Sequence, residues 1–134
     1  MGFELYLNCF GAAEHTGIPR IALRSLFPIV EEESEPDYWR IRYDSANSCH
    51  IGVTAIPSAA DMIGSLYVDR PCGHPLLWEA LISVLRMGQV VMFWPGGPPV
   101  VAGDATDLPA STIASLGPPR SVTSAGELLR LVRE

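Results

Sequence analysis

The residues with the clearest chemical potential form one short run, Arg70-Pro71-Cys72-Gly73-His74-Pro75, directly before an apolar helical stretch. A thiol near a helix N-terminus is shifted toward the thiolate by the helix dipole and the free N–H groups. A neighbouring imidazole, His74, can serve as its base. The same N–H groups, with Arg70, can hold an anion. A plainer reading competes. Pro71, Gly73 and Pro75 make a rigid strand-to-helix turn, His74 sits near the cap, and Cys72 packs as a small apolar residue. The plainer reading is preferred, so Arg70, Cys72 and His74 are kept as candidate binding residues and no catalytic residue is assigned.

Three other places have suggestive residue types. Cys49-His50 and Cys72-x-His74 together supply two thiols and two imidazoles, a zinc-compatible set. Consecutive strand residues point to opposite faces, and the spacing is not that of compact zinc modules, so no metal is assigned. Arg40, Arg42 and His50, with Tyr38, are expected on the outer face of a hairpin, where they could bind an acidic peptide or an anion. The alternative is a solvated sheet face with cross-strand pairs. Trp94, in the loop Phe93-Trp94-Pro95-Gly96-Gly97-Pro98-Pro99, could form a lip for a ligand or partner, or simply enter the core. The acidic run Glu31-Glu32-Glu33-Ser34-Glu35-Pro36-Asp37 could meet a basic partner but reads first as a solvated loop.

Several chemistries are excluded outright. No G-x-S-x-G, C-x-x-C, H-E-x-x-H or G-x-G-x-x-G motif occurs, and six positions after Cys72 stands Trp78, not the arginine of a cysteine phosphatase. The chain has no lysine; all nine basic residues are arginine. That removes Schiff-base and pyridoxal-phosphate catalysis and the P-loop lysine. No cofactor is expected. The formal charge of −6 argues against nucleic acid as a partner and suits solubility or a basic protein partner. Plentiful Ala, Gly, Pro and Arg suggest a GC-rich bacterial source.

The elements that must position these residues follow from patterning. The apolar share of 48% supports an ordered core, and 134 residues suit one globular domain spanning 1–134. The N-terminus lacks the basic and apolar regions of a signal peptide, and no apolar run is long enough for a membrane span. Three cysteines without a secretion signal read as reduced thiols in a cytoplasmic protein. Phe3, Leu5, Leu7 and Cys9 alternate with polar residues as in a half-buried strand, and Gly11 to Gly17 reads as a loop. Pro19 opens a helix that ends before Pro28. Tyr38 to Asp44 and Cys49 to Ala55 read as a hairpin, with Tyr43 opposite Cys49, Ile41 opposite Ile51 and Trp39 opposite Val53. In that register Arg42 faces His50 and Arg40 faces Gly52. Pro57 to Asp61 is a break before a strand at Ser65 to Arg70. Pro75 opens a helix apolar around most of its circumference, which must be buried. Gln89 to Trp94 is a strand that Val100-Val101 could extend, Leu108 to Leu116 a short helix, and Ser124 with Glu127 has capping-box spacing before a last helix.

This order predicts an α+β domain: an antiparallel or mixed sheet of about five strands with helices packed mainly on one face. The opening Met1-Gly2-Phe3-Glu4-Leu5-Tyr6-Leu7-x-Cys9-Phe10, the segment Arg70 to Leu81 and the Phe93 to Pro99 loop resemble a group of short bacterial proteins with no assigned activity. The resemblance implies an α+β domain and carries over no functional residues. Small acidic bacterial proteins of this shape suggest an immunity- or antitoxin-like interaction module. The alternative is a small-molecule binding protein or enzyme using Cys72, His74 and Arg70.

Overall fold

Two alternating strands anchor the structure. Leu5 and Leu7 on β1 (Glu4–Cys9) lie opposite Val68 and Leu66 on β6 (Ala59–Asp69), and all four are buried. The structure is a computed structural model that describes residues 3–10, 17–34, 37–87, 89–102 and 110–133. The other strands are β2 (Ile18–Pro19), β3 (Ile29–Ser34), β4 (Asp37–Asp44), β5 (Asn47–Ile56), β7 (Val90–Phe93), β8 (Val100–Ala102) and β9 (Arg120–Val122). They join one nine-stranded sheet in the order β3-β4-β5-β6-β1-β7-β8-β9, with β2 added beside β6. Among the described residues, only β8 and β9 pair in parallel; the other pairings are antiparallel.

One face of this sheet is the core face. Trp39, Ile41, Cys49, Ile51, Val53, Leu66, Val68, Leu5, Leu7, Met92 and Val100 line it. The helix α2 (Pro75–Leu85) packs there with Leu77, Trp78, Ala80, Leu81, Ile82, Val84 and Leu85 buried. Pro75 stands at its first turn, where a missing N–H costs nothing. The helix α4 (Ala125–Arg133) lies on α2 and adds Leu128 and Val132. Its first turn is capped by Ser124, whose hydroxyl accepts the Glu127 N–H at 3.2 Å. The short helix α1 (Arg20–Arg24) contributes Leu23 to the same core. Burying each large apolar side chain contributes roughly 1.5–3 kcal/mol. Among the described residues, no helix is long and apolar enough to cross a membrane.

The expected α+β class with about five strands is overturned. Of the described residues, 46% are strand and 27% helix, in one nine-stranded mixed sheet with four small helices, the fourth being α3 (Ala110–Leu116). Four strands account for the difference. The acidic run was expected to be a loop, yet Glu31 to Ser34 belongs to β3. Its backbone completes the edge of β4 while the Glu31, Glu32 and Glu33 side chains stay exposed. Glutamates are tolerated because an edge strand needs main-chain pairing, and edge charge guards against further pairing. The strands β2, β8 and β9 have two or three residues each, too few for alternation to show. The break at Pro57 to Asp61 contracts to a two-residue turn, so β6 starts at Ala59. Most of the Gly11 to Gly17 loop and the start of the Leu108 helix lie outside the described residues.

The hairpin register also differs by two residues from the expected one. Ile41 pairs with Cys49, Trp39 with Ile51, Arg40 with His50 and Tyr38 with Gly52. The reason is the turn, which is only Ser45-Ala46, with a register irregularity at Tyr43. Asp44 holds it: one carboxylate oxygen accepts the Ala46 N–H at 2.8 Å and the Asn47 side-chain amide at 2.9 Å. A shift of two keeps every side chain on its face, so the apolar set is unaffected. The Ala46 N–H, followed by the Asn47 amide, holds the Asp44 carboxyl below the usual carboxylate range. A carboxyl depressed in the folded state stabilises above its unfolded value and loses that contribution as pH falls through the folded value. Thermal melts of wild type and Asp44→Asn across pH 2 to 6 should therefore differ most near pH 6 and converge at the acid end. A difference that grows on acidification would contradict the turn's electrostatics.

Candidate functional site

The sheet's other face is ordered in rows that run across the strands. Tyr38, Gly52, Tyr67, Tyr6 and Phe93 are consecutive cross-strand partners on β4, β5, β6, β1 and β7. Their rings form a continuous aromatic row. Tyr6 stacks on Phe93 with centroids 5.4 Å apart, and Tyr67 tilts against Tyr6 at 6.4 Å and against Tyr38 at 6.3 Å. Gly52 is the gap in the row that makes it close. The Tyr67 ring lies over it, so that a Cβ at position 52 would fall within the ring. Such aromatic cross-strand contacts contribute roughly 0.2–1 kcal/mol each.

A parallel row carries the charge. Glu31, Arg40, His50, Asp69 and Glu4 are again consecutive partners, on β3, β4, β5, β6 and β1. The two rows are tied together. Tyr6 donates its hydroxyl to Glu4 at 2.6 Å, Tyr38 donates to Asp69 at 3.4 Å, and the Tyr38 ring stacks on His50 at 4.9 Å. The bond to Glu4 pushes the Tyr6 hydroxyl above its ordinary pKa. Partial burial, then the Asp69 carboxylate, does the same for Tyr38. Both phenols therefore stay neutral and donate their protons to carboxylates. At one end of the rows a hollow of about 400 Å³ is lined by Tyr38, Ser48, Cys49, His50, Asp69 and Arg70. At the other end a cleft of about 380 Å³ separates Asn8, Val91 and Phe93 from Ser111, Ser115 and Leu116 of α3.

The structure distributes the sequence-derived candidates between the two faces. Arg40, Arg42 and His50 are on the outer face, with Arg40 opposite His50 and Arg42 opposite Ser48. Arg40 pairs with Glu31 at 3.1 Å, and the Arg42 Nε donates to the Asp44 carbonyl at 3.4 Å. The expected anion-binding cluster is thus interleaved with carboxylates. Arg70 directly follows β6, exposed and with φ at 49°, and borders the hollow beside Asp69. Cys72 and His74 do not form a nucleophile–base pair among the described residues. The His74 Nδ1 accepts the Leu76 N–H at 3.1 Å as the cap of α2, its ring stacks on Tyr43 at 4.8 Å, and its Nε2 lies 3.8 Å from Asp44. Cys72 packs against the core, and its carbonyl accepts the Trp78 indole N–H at 3.0 Å. Trp94 also packs on the core, with Gly97 folded against its ring and donating to its carbonyl at 3.0 Å. It is not a lip. The four zinc-compatible residues are divided: Cys49 and Cys72 pack on the core, while the His50 ring stacks on Tyr38 at the outer face.

The aromatic row itself was missed in the sequence. Tyr6, Tyr67 and Phe93 stand at polar-face positions of three separate strands, and only the register of five strands brings them together. Gly52, a glycine in mid-strand, was the available signal. Comparison with family models, curated proteins and solved structures gave no match.

Gly52→Ala should displace the Tyr67 ring and lower stability by about 1–3 kcal/mol, as overpacking does. Chemical denaturation of the double variant with Tyr67→Ser checks this: the cost of Gly52→Ala should largely vanish there. An equal cost in both backgrounds would mean that the ring does not need the glycine.

Proposed function

We propose that the protein is a non-enzymatic interaction module, of the immunity or antitoxin kind, whose outer sheet face binds a basic segment of a protein partner. The observation that carries this reading is the in-register aromatic row Tyr38–Tyr67–Tyr6–Phe93 with Glu4, Asp69, Glu31 and Glu33 beside it. Tyrosine faces attract guanidinium and ammonium groups, each worth roughly 0.5–1 kcal/mol at an exposed site. Carboxylates held next to the rings add charge complementarity and speed encounter. The chain's net charge of −6 acts in the same direction. Arg40 on this face is paired with Glu31, which favours a basic ligand over an acidic peptide. Nucleic acid is disfavoured by the same carboxylates, although aromatic sheet faces can stack bases. The helices α1, α2 and α4 pack on the opposite face, while α3 borders this one at its Phe93 end.

The test uses an octa-arginine peptide, with an octa-glutamate peptide and a single-stranded DNA as comparators, in calorimetric titrations. Wild type should bind octa-arginine alone, and more weakly as salt rises. Tyr6→Ser, Tyr67→Ser and Asp69→Asn should each weaken binding by roughly threefold to tenfold, a loss in keeping with one cation–π or charge contact. Glu79→Gln, an acid on α2 away from this face, should leave it unchanged. Equal loss at Glu79, or tighter binding of the DNA, would refute the reading.

A further inference from the structure

Arg70 stands where a side chain is costly. Among the described residues it is the one non-glycine with positive φ, at 49°. An L-residue there crowds its Cβ against its own backbone, and glycine is the usual occupant. Arg70 also precedes Pro71, and the residue before a proline is steered toward extended backbone at negative φ. Two separate penalties thus fall on one arginine. The fold does not use the side chain to offset them. Arg70 is exposed, and among the described residues its guanidinium has no ion pair and no hydrogen bond. Its main-chain N–H donates to the Phe3 carbonyl at 3.2 Å, which keeps the backbone beside the start of β1.

The sheet opens at this point. Pairing between β5 and β6 ends at His50 with Asp69, yet β5 continues along β4 through Cys49 and Ser48. The hollow of about 400 Å³ lies at this parting, with Tyr38, Ser48, His50, Asp69 and Arg70 around it. Consecutive residues of a strand face opposite sides of the sheet, but the turn at Arg70 leaves it and Asp69 bordering the same hollow. A carboxylate and a guanidinium therefore stand side by side without forming an ion pair with each other. Tyr38, whose hydroxyl donates to Asp69 at 3.4 Å, adds an aromatic wall. A lone anion would meet Asp69, and a lone cation would leave Arg70 unmet. A ligand group that carries both charges satisfies both residues.

We propose that this hollow takes the C-terminal residue of the basic segment, its free carboxylate on Arg70 and its cationic side chain against Asp69 and the Tyr38 ring. The inference rests on the sheet-face reading and gives it a direction: the partner's segment is a C-terminal tail that finishes at the Tyr38 end of the aromatic row. Guanidinium and carboxylate form strong, charge-assisted hydrogen bonds, and capture of a terminal carboxylate is a recurring mode of peptide recognition. Backbone strain at a ligand-binding position is retained where the side chain serves the complex rather than the fold.

The test is calorimetric titration of the full chain with two N-acetylated octa-arginine peptides, one ending in a free carboxylate and the other in an amide. The amide peptide is the more positive of the two, so attraction to an acidic protein alone would favour it. The free acid should instead bind roughly threefold to tenfold more tightly. Arg70→Gln removes the charge but keeps the strained backbone, and it should erase this preference. Arg70→Gly should erase it as well and should melt no lower than wild type, since the strain goes with the side chain. An amide peptide that binds as tightly as the acid would overturn the site while leaving the sheet-face reading in place, because both peptides still bind. A preference that survives in Arg70→Gln, or a lower melting temperature for Arg70→Gly, would also overturn it. Failure of both peptides to bind wild type would overturn the sheet-face reading and this inference together.

Discussion

The structure depends on the burial of α2. Seven of its eleven residues are buried, including Trp78, Leu77, Leu81 and Leu85. A helix this apolar cannot sit on a surface with one side in water. It is covered by the sheet on one side and by α4 on another. That arrangement commits one whole sheet face to the core. It also explains why the turn before the helix is so firmly made: Pro75 starts it, His74 caps it, and Trp78 reaches back to the Cys72 carbonyl. His74 and Cys72, candidate binding residues in the sequence, both take part in this turn.

With one face committed, the proposed recognition uses the other. Its organisation comes from β-register alone. Five strands align Tyr38, Gly52, Tyr67, Tyr6 and Phe93, and a slip of one residue in any of them would exchange a ring for a core side chain. The buried partners Leu5 with Val68 and Trp39 with Ile51 fix that register from the opposite face. The outer row is thus positioned by the core beneath it. The Asp44 turn and the fit of Tyr67 over Gly52 secure the same alignment.

The strands and helices with long, clean patterns were legible in the sequence: β1, the faces of the β4–β5 hairpin, α2 and the capped start of α4. The strand β3 was not, because its glutamates signal solvent while its backbone meets the needs of β4. Nor were β2, β8 and β9, which are shorter than one period of any pattern worth counting. The hairpin's faces were legible but its pairing was not, since a two-residue shift leaves the faces unchanged and only the turn chemistry of Asp44 decides it. The candidate site shares this limit. Arg40, Arg42 and His50 were placed on the outer face from alternation, but their acidic neighbours Glu31, Asp69 and Glu4 come from three other strands. Pairing across distant strands sets carboxylates beside Arg40 and His50, which is what the proposed cation-binding reading rests on.

We propose that the aromatic and acidic face is the recognition surface. Backbone amide shifts of the full chain, followed by NMR while octa-arginine is added, test this. The largest shifts are expected at Tyr6, Tyr38, His50, Tyr67 and Asp69, with the amides of α2 nearly still. Shifts concentrated on α1 and α2, or spread evenly over the acidic surface, would contradict it.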